Sequence, residues 1–342
     1  MANAPIFDMG VTIGRFGHVQ LGHNSLFDMS MMLCRRTYVI VGSAQERDTL
    51  RNPFTVETRI RAIRECYPGV PESKLIIGGL NDMTNELDIN TEWGKYLKSH
   101  IVAKMHKFAS LMVYGNDEFR SQWFAAEDLV NTAEIVIPRS TIPISGTQVR
   151  GLLLIDDETA WQKCTHEMIH FMYPELRAEL MSVPVYKEIY NIVRRGEMDL
   201  DSFMKVYKQY EEADRQKKLA ELQKWEMQSN SVDPKETLSS GEQTKEKGCE
   251  KVMVRWAKFM PTLRVNGYEL TTRNQKEGEY NVYKDRKRVG WIKARQLTVQ
   301  ALDGVYMNWI PYDIEIEVQE STEELPIELF RKIILATMTM TE

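Results

Sequence analysis

Cysteine is scarce in this chain and follows no pattern. Cys34, Cys66, Cys164 and Cys249 stand far apart with no C-x-x-C spacing, so neither a thiolate zinc site nor a disulfide framework is expected. Reduced thiols in the cytoplasm are expected instead. Long apolar runs are missing too. Nothing approaches the roughly 20 apolar residues of a membrane span, and the opening MANAPIFDMG lacks the charged-then-apolar pattern of a secretory leader. Positive charge is not in excess, and a formal net charge of −5 argues against nucleic acid as the main partner. What remains is a chain of 342 residues, 43% hydrophobic and 27% charged. That is ordinary globular composition, with length for two domains and for a large core in at least one.

The first half alternates strand-like and helix-like text. PIFDMGVTIG, RRTYVIVGSA, SKLIIGGL, ASLMVYGN and AEIVIPRS read as buried strands. HNSLFDMSMMLC, TVETRIRAIRECYP and WGKYLKSHIVAKMHKF read as the helices between them. Strands separated by such helices predict an α/β fold, a Rossmann-like parallel sheet covered on both faces. Ligands of such sheets collect beyond the carboxyl ends of the strands, where IGRFG, VGSAQ, GGLND and VYGND fall. Residues 166–228 read as a charged helical extension, with Val206, Tyr210, Leu219, Leu222 and Trp225 as its apolar contacts. Residues 229–250 read as a flexible linker. Beyond it, short alternating runs with Gly-centred breaks predict a small β-rich domain over 251–342. The expected boundaries are 1–190, 191–228, 229–250 and 251–342.

Two stretches carry chemistry. In IGRFGHVQLGH (13–23), Gly14 and Gly17 let the backbone approach a ligand and Gly22 permits tight helix packing. Arg15 and His23 then face negative oxygen at the positive end of the following helix. In ISGTQVRG (144–151), Ser145 and Thr147 lie at a strand-to-helix junction where hydroxyls cap the helix or bind phosphate. Arg150, three residues on, points back toward the same anion.

The pair GRF…GH and ISGTxxR resembles the nucleotidyltransferase α/β-phosphodiesterase superfamily, whose signatures are (H/T)xGH and ISxTxxR. With VGSAQ (41–45), RNPFT (51–55), Asn90–Trp93 as Asn-x-x-Trp and YGN (114–116), the chain resembles the nicotinamide mononucleotide adenylyltransferases over residues 10–190. The archaeal type and the N-terminal half of the bacterial bifunctional proteins are the most similar. The resemblance implies transfer of AMP from ATP to nicotinamide mononucleotide, with NAD and pyrophosphate as products and Mg2+ accompanying ATP. It assigns His23 to the ATP phosphates, Arg150 with Ser145 and Thr147 to the β/γ end, and Arg15 to a bridge between the reacting phosphates. Gly14, Phe16, Gln20, Gly22, Arg51 and Gly146 go with the ATP side. Trp93 would stack on the nicotinamide ring, the alternative being a partly buried core indole, while Asn90 and Asp82 position the substrate's polar edges. No protein-held metal is implied.

The chain departs from the family pattern at Gln20, which replaces the first motif histidine and keeps a donor without a positive charge. His18, two residues earlier, is a second imidazole, read either as an exposed loop residue or as one that reaches the phosphates in place of the missing one. Nicotinate mononucleotide or another phosphorylated acceptor is the alternative substrate, and a catalytically weakened nucleotide sensor the alternative class. His166 and His170 are spaced i, i+4 with no third ligand, so they do not predict a metal site. Residues 251–342 lack the Nudix helix of the bifunctional proteins. Between Lys251 and Arg295, 12 basic residues face 4 acidic ones with aromatics interleaved. That leaves open an RNA- or nucleotide-binding face and an interaction or homo-oligomerisation module.

Overall fold

The computed structural model describes residues 5–83, 91–115, 123–138, 142–229, 262–274, 278–298 and 311–338. Strands β1 (Phe7–Gly14), β2 (Cys34–Val41), β3 (Leu75–Gly79), β4 (Leu111–Gly115) and β5 (Ala133–Ile137) run parallel in the order β3-β2-β1-β4-β5. Helices α1 (Leu21–Leu33), α2 (Val56–Glu65) and α3 (Thr91–Met105) lie between the first four strands along the chain. Successive strand residues point to opposite faces. Val39, Val41, Leu111, Val113 and Ile135 enter one core, while Met9, Val11, Ile13, Tyr38, Ile40 and Met112 enter the other. Burial on both sides explains why these strands read as near-continuous apolar runs. Strand order reverses at β1 and β4, which puts the ligand crevice beyond their carboxyl ends.

After β5 come α4 (Gly146–Ile155), α5 (Glu158–Cys164), α6 (Tyr173–Ser182), α7 (Pro184–Val193) and α8 (Leu200–Ser229). Trp161, Leu176, Leu180, Tyr186, Ile189 and Phe203 add to the first core. Val206 and Tyr210 of α8 pack against the first core, as expected, and Leu219 is half-buried, but the fully buried residues are Phe203 and Tyr207; the side chains of Leu222 and Trp225 lie outside the described residues. The cause of that burial is Gly151 on α4, where a Cβ would stand 2.5 Å from the Phe203 ring. The missing side chain is the notch into which Phe203 fits, and that sets the rotation of α8.

The C-terminal strands continue the same sheet. β6 (Thr262–Val265), β7 (Tyr268–Asn274), β8 (Glu279–Lys284), β9 (Lys287–Thr298) and β10 (Pro311–Gln319) form an antiparallel meander, and α9 (Ile327–Met338) follows. β6 pairs antiparallel with β5, from Ala133↔Val265 to Val136↔Thr262, so the ten strands are one sheet. An edge that would otherwise expose unpaired backbone groups is thereby covered. Neither β6 nor α9 was expected from the sequence. Residues 230–250 of the expected linker and residues 251–261 of the expected β-rich domain lie outside the described residues. The basic excess of this region meets acids within it: Arg264 pairs with Glu269, Lys284 with Glu323, Arg288 with Glu320, Lys293 with Glu279 and Arg295 with Glu317. Among the described residues no helix is long and apolar enough to cross a membrane.

Candidate active site

The loops beyond β1 and β2 are bound to one another before any side chain reaches outward. Gly42 N donates to Gly14 O at 2.9 Å. Arg59 of α2, 2% exposed, donates to the carbonyls of Arg15 (2.9 Å), Gly42 (3.0 Å), Ser43 (3.0 Å) and Glu46 (3.3 Å). Sequence reading passed over Arg59. The signal was present, because Arg59 shares the helix face of Ala62 and Ile63, three and four residues on, and both are buried. Phe16 and Ser43 hold left-handed backbone at φ 47° and 49°, a strain of order 1–2 kcal/mol per bulky residue that such over-determined loops sustain. Phe16 itself is buried. Its ring meets His23 edge-on at 5.1 Å and Phe27 at 5.1 Å, so it seats His23 on the first turn of α1.

The helix N-termini of α1 and α4 lie side by side, tied by Gln20. This residue is the N-cap of α1: its Oε1 accepts from Gly22 N and its Nε2 donates to Ile144 O at 3.1 Å. Ile144 precedes Ser145, the N-cap of α4, whose Oγ accepts from Gln148 N (3.1 Å) in a capping box. The position expected to face phosphate therefore carries a buried clamp, both ends of its amide engaged in the fold. His18 differs from expectation as well. It is buried, its Nδ1 meeting Val19 O at 2.7 Å and its Nε2 accepting from Trp161 Nε1 at 3.0 Å. Indole nitrogen only donates, so Nε2 is the acceptor and the ring is neutral. Burial pushes its pKa down to about 3, with Arg150 and His23 adding to the shift. It supplies no second phosphate-facing imidazole.

Arg150 lies where the two Gly-rich turns meet. Its Nε donates to Tyr186 Oη (2.7 Å) and its Nη2 to Thr147 Oγ1 (3.2 Å) and Tyr207 Oη (3.1 Å). Nη1 lies toward the turns: a Cβ at Gly146 would stand 3.3 Å from it and one at Gly17 3.6 Å. Arg51 is about a third exposed and pairs with Glu211 of α8 at 3.4 Å. The α4 N-terminus and the Arg150 guanidinium thus stand beside the first Gly-rich turn, a combination of positive groups that suits an anion.

The expected aromatic contact belongs to the second core. Trp93 on α3 is 8% exposed and packs in the core with Leu80, Leu97 and Phe124. Its ring lies 5.5 Å from Tyr96 and 6.1 Å, at 88°, from Trp123. Trp123 was not anticipated. Asp82 Oδ1 accepts from Ser43 N at 3.2 Å, and its own N donates to Gln45 Oε1 at 2.9 Å, so it buttresses the β2 loop. Asn90 and Asn116 lie outside the described residues.

A doubly covered parallel sheet with helix N-termini and basic side chains gathered at its switch point defines a nucleotide-handling α/β protein. The cytidylyltransferase-like family model matches residues 11–181, half of the chain, and the chain belongs to that family. It is 28% identical over 168 residues to the nicotinamide-nucleotide adenylyltransferase of Aeropyrum pernix, covering 48% of this chain and 90% of that protein. To the protein of the same name from Thermococcus sibiricus it is 25% identical over 201 residues, 58% of this chain and 97% of the relative. Among solved structures, a bifunctional NMN adenylyltransferase/ADP ribose pyrophosphatase from Francisella tularensis, complexed with AMP and a manganese ion, is 17% identical with a TM-score of 0.40. The match covers 55% of this chain and 53% of that one, so the chain spans about half the length of that structure.

Proposed function

We propose that this protein transfers the adenylyl group of ATP to nicotinamide mononucleotide, forming NAD and pyrophosphate. The observation that carries the reading is the clamped pair of helix N-termini with Arg150 between them. The names of the archaeal relatives supply the acceptor. In the transfer a phosphate oxygen of the mononucleotide attacks the α-phosphorus of ATP. The bond to the bridging oxygen breaks, and its electron pair leaves on pyrophosphate. The nucleophile is already an anion and needs no strong base, so alignment and neutralisation of charge carry the rate.

His23 and Arg15 act at the reacting phosphates, and Arg150, Thr147 and Ser145 at the leaving end, with Arg51 beside them once it exchanges Glu211 for phosphate. Gly14, Gly22 and Gly146 keep backbone close to the nucleotide, while Phe16 and Gln20 serve the same site from beneath. Magnesium enters with the ATP phosphates as part of the substrate. Trp93 provides the aromatic wall for the pyridine ring, with Asp82 and Asn90 at its polar edge. The reaction belongs to the cytoplasm. The charge-paired C-terminal strands favour an interaction or homo-oligomerisation role for 251–342 over a nucleic-acid surface. Purified protein given ATP, magnesium and nicotinamide mononucleotide should yield NAD by chromatography, with nicotinate mononucleotide in a parallel reaction to rank the acceptors. ATP binding without dinucleotide from either acceptor would leave a sensor and remove the enzyme.

A further inference from the structure

Two of the three hydroxyls that hold Arg150 belong to residues beyond the family match, which ends at residue 181. Tyr186 comes from α7 and Tyr207 from α8, and both are buried. Each hydroxyl has a single proton to give. Tyr186 Oη donates to Leu50 O at 2.8 Å and Tyr207 Oη to the same carbonyl at 3.3 Å. With their protons committed there, both oxygens must accept, and the donors they face are Nε and Nη2 of Arg150. The guanidinium is planar, so fixing two of its nitrogens fixes the third. That third nitrogen, Nη1, is the one directed at Gly17 and Gly146.

The shared carbonyl belongs to the residue before Arg51. The same helix that carries Tyr207 carries Glu211 one turn later, against Arg51. Close approach of α8 depends on Gly151, where a Cβ would stand 2.5 Å from Phe203 and 2.7 Å from Leu200. Phe203 lies one turn before Tyr207. The glycine that ends ISGTQVRG therefore sets the distance at which α8 delivers its tyrosine.

We propose that Tyr186 and Tyr207 are positioning residues for Arg150: their hydroxyls, both anchored on the Leu50 carbonyl, aim the free edge of the guanidinium at the phosphates of ATP. The proposal rests on reading the crevice as an ATP site. It makes α7 and α8 part of the triphosphate machinery without contact to the nucleotide.

The test uses the full chain with Tyr186→Phe, Tyr207→Phe and the double substitution. Magnesium-ATP is titrated calorimetrically in the absence of acceptor, and initial rates are measured with each substrate varied. Losing hydrogen bonds to a buried charged group should raise the ATP dissociation constant and KM(ATP) about tenfold in the double variant and about threefold in Tyr207→Phe. KM for the mononucleotide should stay at the wild-type value. A general loosening of the fold would move both KM values together, and that result overturns the proposal, as does an ATP constant unchanged in all three variants. If the double variant does not fold, Tyr207→Phe decides by the same split. A wild-type protein that binds ATP, loses affinity in the variants and makes no dinucleotide refutes the transfer reaction while the positioning role stands. A wild-type protein that binds no ATP overturns both.

Discussion

Around Arg150 the side chains proposed to meet phosphate are held by directional polar bonds. Around Trp93 the side chains proposed to meet the pyridine are held by rings. Arg150 meets three hydroxyls, Gln20 ties one helix N-terminus to the next, and Arg59 gathers four loop carbonyls. Such donors are in place before an anion arrives and need little reorganisation when it does. Trp93 instead sits among Tyr96, Trp123, Leu97 and Phe124, where burial is favourable but not directional. To stack on a substrate it must exchange one aromatic neighbour for another. On the proposed function, the first region is thus a fixed template for the triphosphate, and the second contributes packing rather than directed bonds to acceptor binding.

The largest effect should come from breaking the template while keeping its charge. Arg150→Lys retains the cation but cannot reach Tyr186, Tyr207, Thr147 and the Gly17–Gly146 gap at once. A fall of about 100- to 1,000-fold in kcat/KM for ATP is expected, of the size seen when one preorganised donor is removed. Steady-state rates with ATP varied measure it. A lysine variant with near wild-type rates would mean that charge alone suffices there, and the contrast between the two regions would collapse.

Trp93→Ala probes the other region and separates packing from recognition. As a core indole its truncation should cost about 3–5 kcal/mol of stability, read by urea unfolding. As the pyridine wall its loss should also raise KM for the mononucleotide while KM for ATP holds. Trp93→Phe, which keeps a ring, should recover most of both. A raised mononucleotide KM with unchanged unfolding free energy would show that the indole faces the ligand in solution rather than the core.

Much of this architecture could be read in the chain itself. Five apolar runs, the first four spaced by helical text, predict the parallel strands of the sheet, and ISGTQVRG marks the α4 N-terminus with its capping box. Position along the chain did not reveal partners from far away. Gln20 meets Ile144 across 124 residues and His18 meets Trp161 across 143, so a turn that reads as two phosphate-facing groups holds a clamp and a buried ring. Tyr207 was missed because the helix face was judged from its own apolar spacing, whereas the absent side chain of Gly151 on another helix turns it. The pairing of β6 with β5 was hidden for a similar reason: four residues, TLRV, are too short to announce a strand, and they become one between the edge of β5 and β7.

The smallest effect sharpens the comparison through pH. His18 belongs to the first region and is held neutral by burial, its pKa pushed down to about 3 from an ordinary 6.5. The unfolded chain binds a proton at this residue below pH 6.5 and the folded one does not until near 3, so stability falls as pH drops through that window. The loss is about 1.4 kcal/mol per unit, or about 2 kcal/mol by pH 5. His18→Gln keeps an acceptor for Trp161 Nε1 and cannot titrate. Its unfolding free energy should therefore decline less between pH 7 and pH 5 than that of the wild type, by about the same 2 kcal/mol. His100, in the second region beside Tyr38, is also shifted downward by burial, with Lys104 adding to it, but it is only half-buried. His100→Gln should flatten the acid limb by less. Urea titrations of the three proteins at both pH values measure the difference, and parallel slopes for wild type and His18→Gln would mean that the His18 ring is not held neutral in the fold.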